Sequence, residues 1–251
     1  MIVEKLRNIL DLVRKNGVLD VESAMARGRV YRRRADVDVA WLITNINDEI
    51  QSKQLADGFY EIDELRTLKH DVPDARHILD IGANIGNHSI YFAKAFAAER
   101  VIPVEPYAPA IRHLLANIAL NYSPCFDLRF LGRAIGAQLG TVSLAPPTKF
   151  NIGLTRVVTD DLGVVPLITG DSIVGDDRVD LIKVDVEGME VDVIAGLTCV
   201  LARQKPALFV EVGDDQRADF IALTEQLNYA PVREVRAYGS QTNFTMKSTA
   251  A

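Results

Sequence analysis

Acidic residues and glycines recur in this chain at points where apolar, strand-like runs stop. The turn Asp80-Ile-Gly82-Ala-Asn84-Ile-Gly86 follows one such run, and its glycines let backbone come close to a ligand. Beyond Gly86, the next run closes on Glu105, whose carboxylate can accept hydrogen bonds from both hydroxyls of a ribose. A third run closes on Asp185 and Glu187, and a fourth on Glu211. Carboxylates grouped at strand ends can take a proton from an acceptor, because desolvation raises their basicity. They could equally hold a divalent cation, with Glu211 as a third oxygen ligand. A purely structural arrangement is also open, in which Asp185 caps the following helix and Glu190 pairs with Lys183.

These residues are positioned by an alternating pattern. Residues 77–81 read as a strand, 86–98 as a helix, 101–104 as a strand and 109–121 as a helix. The second half repeats it, with strands at 179–184 and 207–212 and helices at 189–202 and 215–227. Such alternation predicts right-handed crossovers and a parallel sheet with helices on both faces. Residues 126–131, 141–144 and 164–168 are strand-like, Ala145-Pro-Pro-Thr148 resists regular structure, and 231–235 with 243–247 suit a closing antiparallel pair. In an open parallel sheet the ligand lies at the carboxyl ends of the strands, where Asp80 and Glu105 sit.

The charge of that ligand can be argued. A dinucleotide site would want G-x-G-x-x-G, whereas here only the Gly82 to Gly86 spacing occurs. Asp80 would also repel a pyrophosphate. S-adenosylmethionine has no phosphate and carries an ammonium and a sulfonium that a carboxylate favours. Asp80, Gly82, Gly86 and Glu105 together therefore point to this cofactor.

Residues 1–75 have a different texture and are expected to be a mainly helical extension, serving as a substrate cap or a dimer contact, ahead of a 76–251 catalytic domain. Ile2, Leu6, Ile9, Leu10 and Val13 recur at helical spacing. Arginines crowd Arg27 to Arg34, either as a solvated, charged turn or as an anion-binding patch, and the former is favoured because Asp36 and Asp38 follow. Residues 37–54 suit a helix or a strand pair, and 60–69 a short helix. Trp41 is expected to be buried, Asn117 and Asn121 to be structural, and His88 to lie on a helix surface.

Composition narrows the classes. The 251 residues carry 28 Lys and Arg against 34 Asp and Glu, a formal charge of −6, so nothing global draws the chain to nucleic acid or an anionic membrane. No apolar stretch approaches the ~20 residues of a membrane span. Two cysteines without a CxxC pair suggest neither a disulfide framework nor a zinc site. A cytoplasmic protein is expected.

The runs Ile78-Leu-Asp-Ile-Gly-Ala-Asn-Ile-Gly86, Val104-Glu-Pro106, Leu115-Ala-Asn-Ile-Ala-Leu-Asn121, Ala134-Ile-Gly136 and Leu181-Ile-Lys-Val-Asp-Val-Glu-Gly-Met-Glu190 resemble the FkbM family of S-adenosylmethionine-dependent methyltransferases, over about residues 57–212. The resemblance implies a Rossmann-like, seven-stranded, mostly parallel sheet with a reversed last hairpin. It implies methyl transfer, usually to a hydroxyl oxygen, of a small molecule or glycan. It assigns Asp80, Gly82, Asn84 and Gly86 to the methionine end of the cofactor and Glu105 to its ribose. Ala134 would line the adenine pocket, with Arg133 covering it, and Gly58-Phe-Tyr60-Glu61 would face the substrate. Where the family often has a histidine after the strand ending at Glu211, this chain has Val212-Gly213-Asp214. The base is then sought among Asp185, Glu187 and Glu211. A binding module without turnover is the alternative, and a nucleic-acid amino-methyltransferase is disfavoured because no Asn-Pro-Pro-Tyr-like run occurs.

Overall fold

The computed structural model describes residues 28–145, 156–158, 163–237 and 239–250. The helix expected within the first fifteen residues and the Ala145-Pro-Pro-Thr148 loop beyond Ala145 lie outside them.

Strands β3 (His77–Ile81), β4 (Arg100–Val104), β9 (Leu181–Val184) and β10 (Ala207–Gly213) are almost continuously buried. Such runs have no solvent face, as expected of a parallel sheet covered on both sides. The pairs β3–β4, β3–β9 and β9–β10 are parallel. Beyond β10 come β12 (Gln241–Ser248) and then β11 (Tyr229–Arg236), both joined antiparallel through β12. The order is β11-β12-β10-β9-β3-β4. The reversed hairpin is present, but six strands are hydrogen-bonded rather than the seven expected. Residues 126–131 contribute only an isolated parallel bridge from Phe126 to Val101, because the chain turns away at Leu128, whose carbonyl accepts from Leu131 N. A separate sheet in the order β5-β8-β6-β7 collects β5 (Ala134–Ile135), β6 (Gly140–Ala145), β7 (Arg156–Val158) and β8 (Val165–Ile168).

Among its described residues the region before β3 mixes strands and helices, where a mainly helical segment was expected. Its described part holds a hairpin, β1 (Arg29–Arg34) and β2 (Asp38–Ile43), as well as helices α1 (Glu49–Asp57) and α2 (Ile62–Asp71). The arginine run is thus an exposed strand, not a turn. Its partner β2 buries Val39 to Ile43 by laying its free edge on helix α4 (Ala108–Asn121). Asn121 accepts from Ala40 N at 3.0 Å and donates to Ala40 O at 2.8 Å, and Asn117 accepts from Leu42 N at 2.9 Å. His113 meets Leu42 O at 2.6 Å. Residues 113, 117 and 121 are four apart and share one helix face, so the helix presents β2 with a side-chain substitute for a neighbouring strand. Trp41 is fully buried, and its indole donates to Gly58 O.

Helix α3 (Asn87–Lys94) follows β3, and α5 (Gly170–Val174) follows β8. One helix expected over 189–202 is instead α6 (Glu190–Ala195) and α7 (Thr198–Gln204). The break has a packing cause: a Cβ at Gly196 would stand 2.1 Å from Gly136 O, while Gly196 O accepts from Asp171 N at 2.9 Å. Asp171 then caps α7 through Cys199 N and Val200 N. Helix α8 (Arg217–Gln226) completes the layer that packs, with α6 and α7, on Leu79, Ile81, Ile182, Val184, Leu208 and Val210. The opposite face, bearing Ile78, Leu181 and Phe209, is covered by β2, α2 and α3. Among the described residues no helix is long and apolar enough to cross a membrane.

Candidate active site

The loop after β3 is pinned at its start by Gly82 N and Ala83 N, each donating to Val104 O at 3.0 Å. Gly82, Asn84 and Gly86 all have positive φ, 76°, 48° and 90°. The glycines answer to protein contacts more than to a ligand. A Cβ at Gly82 would lie 1.8 Å from Asp185 O, and one at Gly86 2.4 Å from Leu114 Cδ1. The tight loop exposes Asn84 N to Glu105, whose Oε2 accepts it at 2.9 Å, while Oε1 accepts Tyr107 N at 2.8 Å. Glu105 is buried, and burial raises its pKa to about 7 against those two hydrogen bonds. Each of its oxygens keeps a lone pair for a further donor. The Asn84 side-chain oxygen is buried with no partner in the protein.

Asp80 and Lys183 are register partners on β3 and β9, and both are fully buried. Lys183 Nζ lies 3.2 Å from Asp80 Oδ1 and 3.2 Å from Asp185 Oδ2, and donates to Gly82 O at 2.7 Å. Burial opposes its charge, but Asp185 and Asp80 outweigh that and hold its pKa above the ordinary lysine value. Ser89 Oγ donates to the other Asp80 oxygen. Asp80 Oδ1 thus meets Lys183 as an ion pair without a hydrogen bond. Its negative charge is balanced by Lys183, so the sequence argument that it repels a pyrophosphate loses its force. Glu190 does not pair with Lys183; its Oε1 instead accepts Gly188 N at 3.0 Å.

Asp185 itself is 37% exposed at its side chain, the open member of the ion triplet. Glu211 lies near the end of β10 on the face shared with Asp80 and Lys183, and its pKa is pushed up to about 9, first by burial and then by the charges of Asp185 and Glu61. Glu61 is buried in a left-handed conformation before α2, and its Oε2 lies 3.2 Å from His88 Nε2. His88 is thus buried in the first turn of α3 and not on the helix surface as expected. Asn87 fastens the same segment, accepting Tyr60 N at 3.0 Å and donating to Tyr60 O at 2.8 Å. Tyr60 and Glu61 are so brought to the amino terminus of α3, together with the strand-end carboxyls. Glu187 adds to the negative field that raises Glu211 and Glu190. Ala134 is buried in β5, and the Arg133 guanidinium lies over the Phe130 ring at 5.8 Å, with Arg129 at 5.3 Å. Among the described residues no group of His, Cys, Asp or Glu is arranged to hold a metal ion.

Sequence reasoning did not single out Ser89, Asn87 or the Asp80–Lys183–Asp185 triplet. The alternation in 181–185 does put Lys183 and Asp185 on one face of the strand run, which is a legible signal.

The raised carboxyls carry a stability consequence. A carboxyl that binds its proton more tightly folded than unfolded contributes stability that is full below its ordinary value of 4.5 and is lost as pH rises through the folded value. Glu105 and Glu190, at about 7, and Glu211, at about 9, all act in this sense. The melting temperature should therefore fall between about pH 4.5 and 9, most steeply below about 7. Glu211→Gln should flatten the upper part of that fall, as read by thermal melts across the range. An unchanged slope in the variant would mean that Glu211 does not hold its proton.

The model of the "Methyltransferase FkbM domain" matches residues 80–239. The hexuronic acid methyltransferase AglP of Haloferax volcanii is 29% identical over 145 residues, 56% of this chain and 58% of that protein. The AMB antimetabolite synthetase AmbE of Pseudomonas aeruginosa is 24% identical over 216 residues, 70% of this chain but 10% of the synthetase. The chain thus spans well under two thirds of either relative. Among solved structures, the FkbM methyltransferase of Methylobacillus flagellatus superposes with TM-score 0.48 at 18% identity, covering 68% of this chain and 44% of its own. A Pyrococcus abyssi tRNA (uracil-54, C5)-methyltransferase with S-adenosyl-L-homocysteine gives 0.49 at 16%, covering 87% and 43%.

Proposed function

This chain belongs to the FkbM methyltransferase family, and from that premise we propose that it transfers a methyl group from S-adenosylmethionine to a hydroxyl oxygen of a small molecule or glycan. The observation that carries the reading is Glu105. It is held at the end of β4 by two backbone donors, with lone pairs left for a ribose diol, next to a loop whose Asn84 oxygen lacks a partner. The donor set fits the cofactor. Glu105 takes the ribose and Asn84 the methionine end, and the surplus of carboxylates around Lys183 favours a ligand bearing positive charge. Ala134 and Arg133 are proposed for the adenine. When bound, the cofactor supplies an electrophilic methyl group on a sulfonium.

The chain's own contribution is to hold and deprotonate the acceptor. Asp185 is the proposed base. It is the partly exposed end of the triplet, and Lys183 fixes its position while the Asp80 pairing keeps Lys183 in place. Glu211 retains its proton near neutrality and serves as a donor to the acceptor, with Glu187 shaping the field. Tyr60 and Glu61 form the wall toward the substrate. The name of AglP, a hexuronic acid methyltransferase, supports an acceptor of the sugar class.

Isothermal calorimetry tests the reading. S-adenosylhomocysteine should bind and NAD should not, and Glu105→Ala should weaken S-adenosylhomocysteine by roughly ten- to hundredfold, the equivalent of about 1.5–3 kcal/mol for charge-assisted hydrogen bonds. Preferential NAD binding, or undiminished affinity in a properly folded Glu105→Ala, would overturn it.

A further inference from the structure

Asn243 is buried to 3% exposure, and neither its side-chain oxygen nor its nitrogen has a partner in the protein. An amide left so is expensive and rare in a folded interior, and it points to a ligand. It lines a cleft of about 140 Å³ between α2 and the β10–β12–β11 corner of the sheet. A space of about 150 Å³ holds one six-membered ring. In the sheet, Asn243 is the register partner of Glu211, and Thr245 of Phe209, so these side chains share one face. A ring seated on Asn243 therefore lies beside the carboxyl cluster.

The lining states what kind of ring it is. Leu68, Phe209 and Val235 give apolar walls, while Thr67, Thr245 and Asn243 give neutral hydrogen-bonding groups. The one cationic side chain of the lining, Arg233, is already held by Asp71, at 2.6 and 2.9 Å. Glu64 and Asp63, the latter paired with Arg66 at 2.9 Å, also border the cleft, so its described lining offers an anion no unpaired cation. Apolar faces combined with neutral donors and acceptors match a polyhydroxylated ring, whose C–H faces are apolar and whose hydroxyls both donate and accept.

We propose that this cleft is the acceptor subsite, taking a neutral ring of the sugar class, and that the Asn243 amide is its specificity-determining anchor. The proposal rests on the methyl-transfer reading above.

The test uses the full chain labelled with ¹⁵N-asparagine, its side-chain amide signals assigned through Asn243→Leu. Asn243→Asp gives the assignment if the leucine variant does not fold. Methyl β-D-glucopyranoside, D-glucuronate and S-adenosylhomocysteine are titrated separately. The glucoside should shift the Asn243 signal, and S-adenosylhomocysteine the Asn84 signal. Asn243→Leu should weaken glucoside binding by roughly tenfold or more. It should also melt no lower than the wild type, since it removes a buried amide without a partner, whereas a structural amide would lower the melting temperature. A shift of Asn84 with no response of Asn243 to the glucoside, or a response to glucuronate alone, overturns the subsite and leaves the methyltransferase reading standing. A response to the glucoside with none to S-adenosylhomocysteine overturns the acceptor role. A silent Asn84 by itself counts against the reading.

Discussion

Lys183→Met should lower the stability of the protein by about 3–5 kcal/mol, because it leaves the fully buried Asp80 carboxylate with no cation. At roughly 2–4 °C per kcal/mol for a chain of this size, the melting temperature should drop by about 6–20 °C. The remaining support, a hydrogen bond from Ser89, neutralises nothing. The double variant Asp80→Leu with Lys183→Met removes both charges and should recover much of the loss, since replacing a buried pair by apolar groups is often near neutral. Differential scanning calorimetry of the two variants decides the matter. A single variant melting within a degree of the wild type would show that Asp80 is not charged in the fold.

Asp185→Asn should reduce turnover by about 10²–10⁴, the usual worth of a general base, with S-adenosylhomocysteine affinity little changed. The amide keeps the shape and the contact with Lys183 Nζ, but it cannot accept the hydroxyl proton. The readout is the initial rate of S-adenosylhomocysteine release with a sugar-class acceptor, alongside calorimetry. A joint fall of rate and affinity would assign Asp185 to the cofactor's ammonium instead. The pH profile separates it from Glu211. A base with a pKa of about 9 is protonated and idle at neutrality, so its rate would climb toward pH 9 and vanish in Glu211→Gln. With Asp185 as base, that climb is absent and Glu211→Gln keeps most of the rate.

Much of the architecture follows from local pattern alone. Runs such as His77–Ile81 and Leu181–Val184 are apolar except at His77, Asp80 and Lys183, and their near-continuous burial fits a strand covered on both sides. The turn from Gly82 to Gly86 and the acid at Glu105 are legible for the same reason, since positive φ and strand-end position leave a mark in residue type. What sequence spacing cannot carry is which distant residues meet. The short, mixed segment before β3 lacks a decisive period, and β2 is held on one edge by β1 and on the other by Asn117 and Asn121, some 75 residues and more away. The Met189 to Ala202 stretch reads as one helix until the Gly136 carbonyl arrives against Gly196. Asp80 had the sign expected of a cofactor-facing carboxylate, and strand register set it against Lys183 in the interior. Local pattern was enough for the parallel strands, the glycine loop and the strand-end acid Glu105, because those depend on neighbours within a few residues. Which carboxyl is neutralised, which is forced to keep its proton and which stays open was decided by tertiary structure, because charge and desolvation act through space between residues about a hundred positions apart.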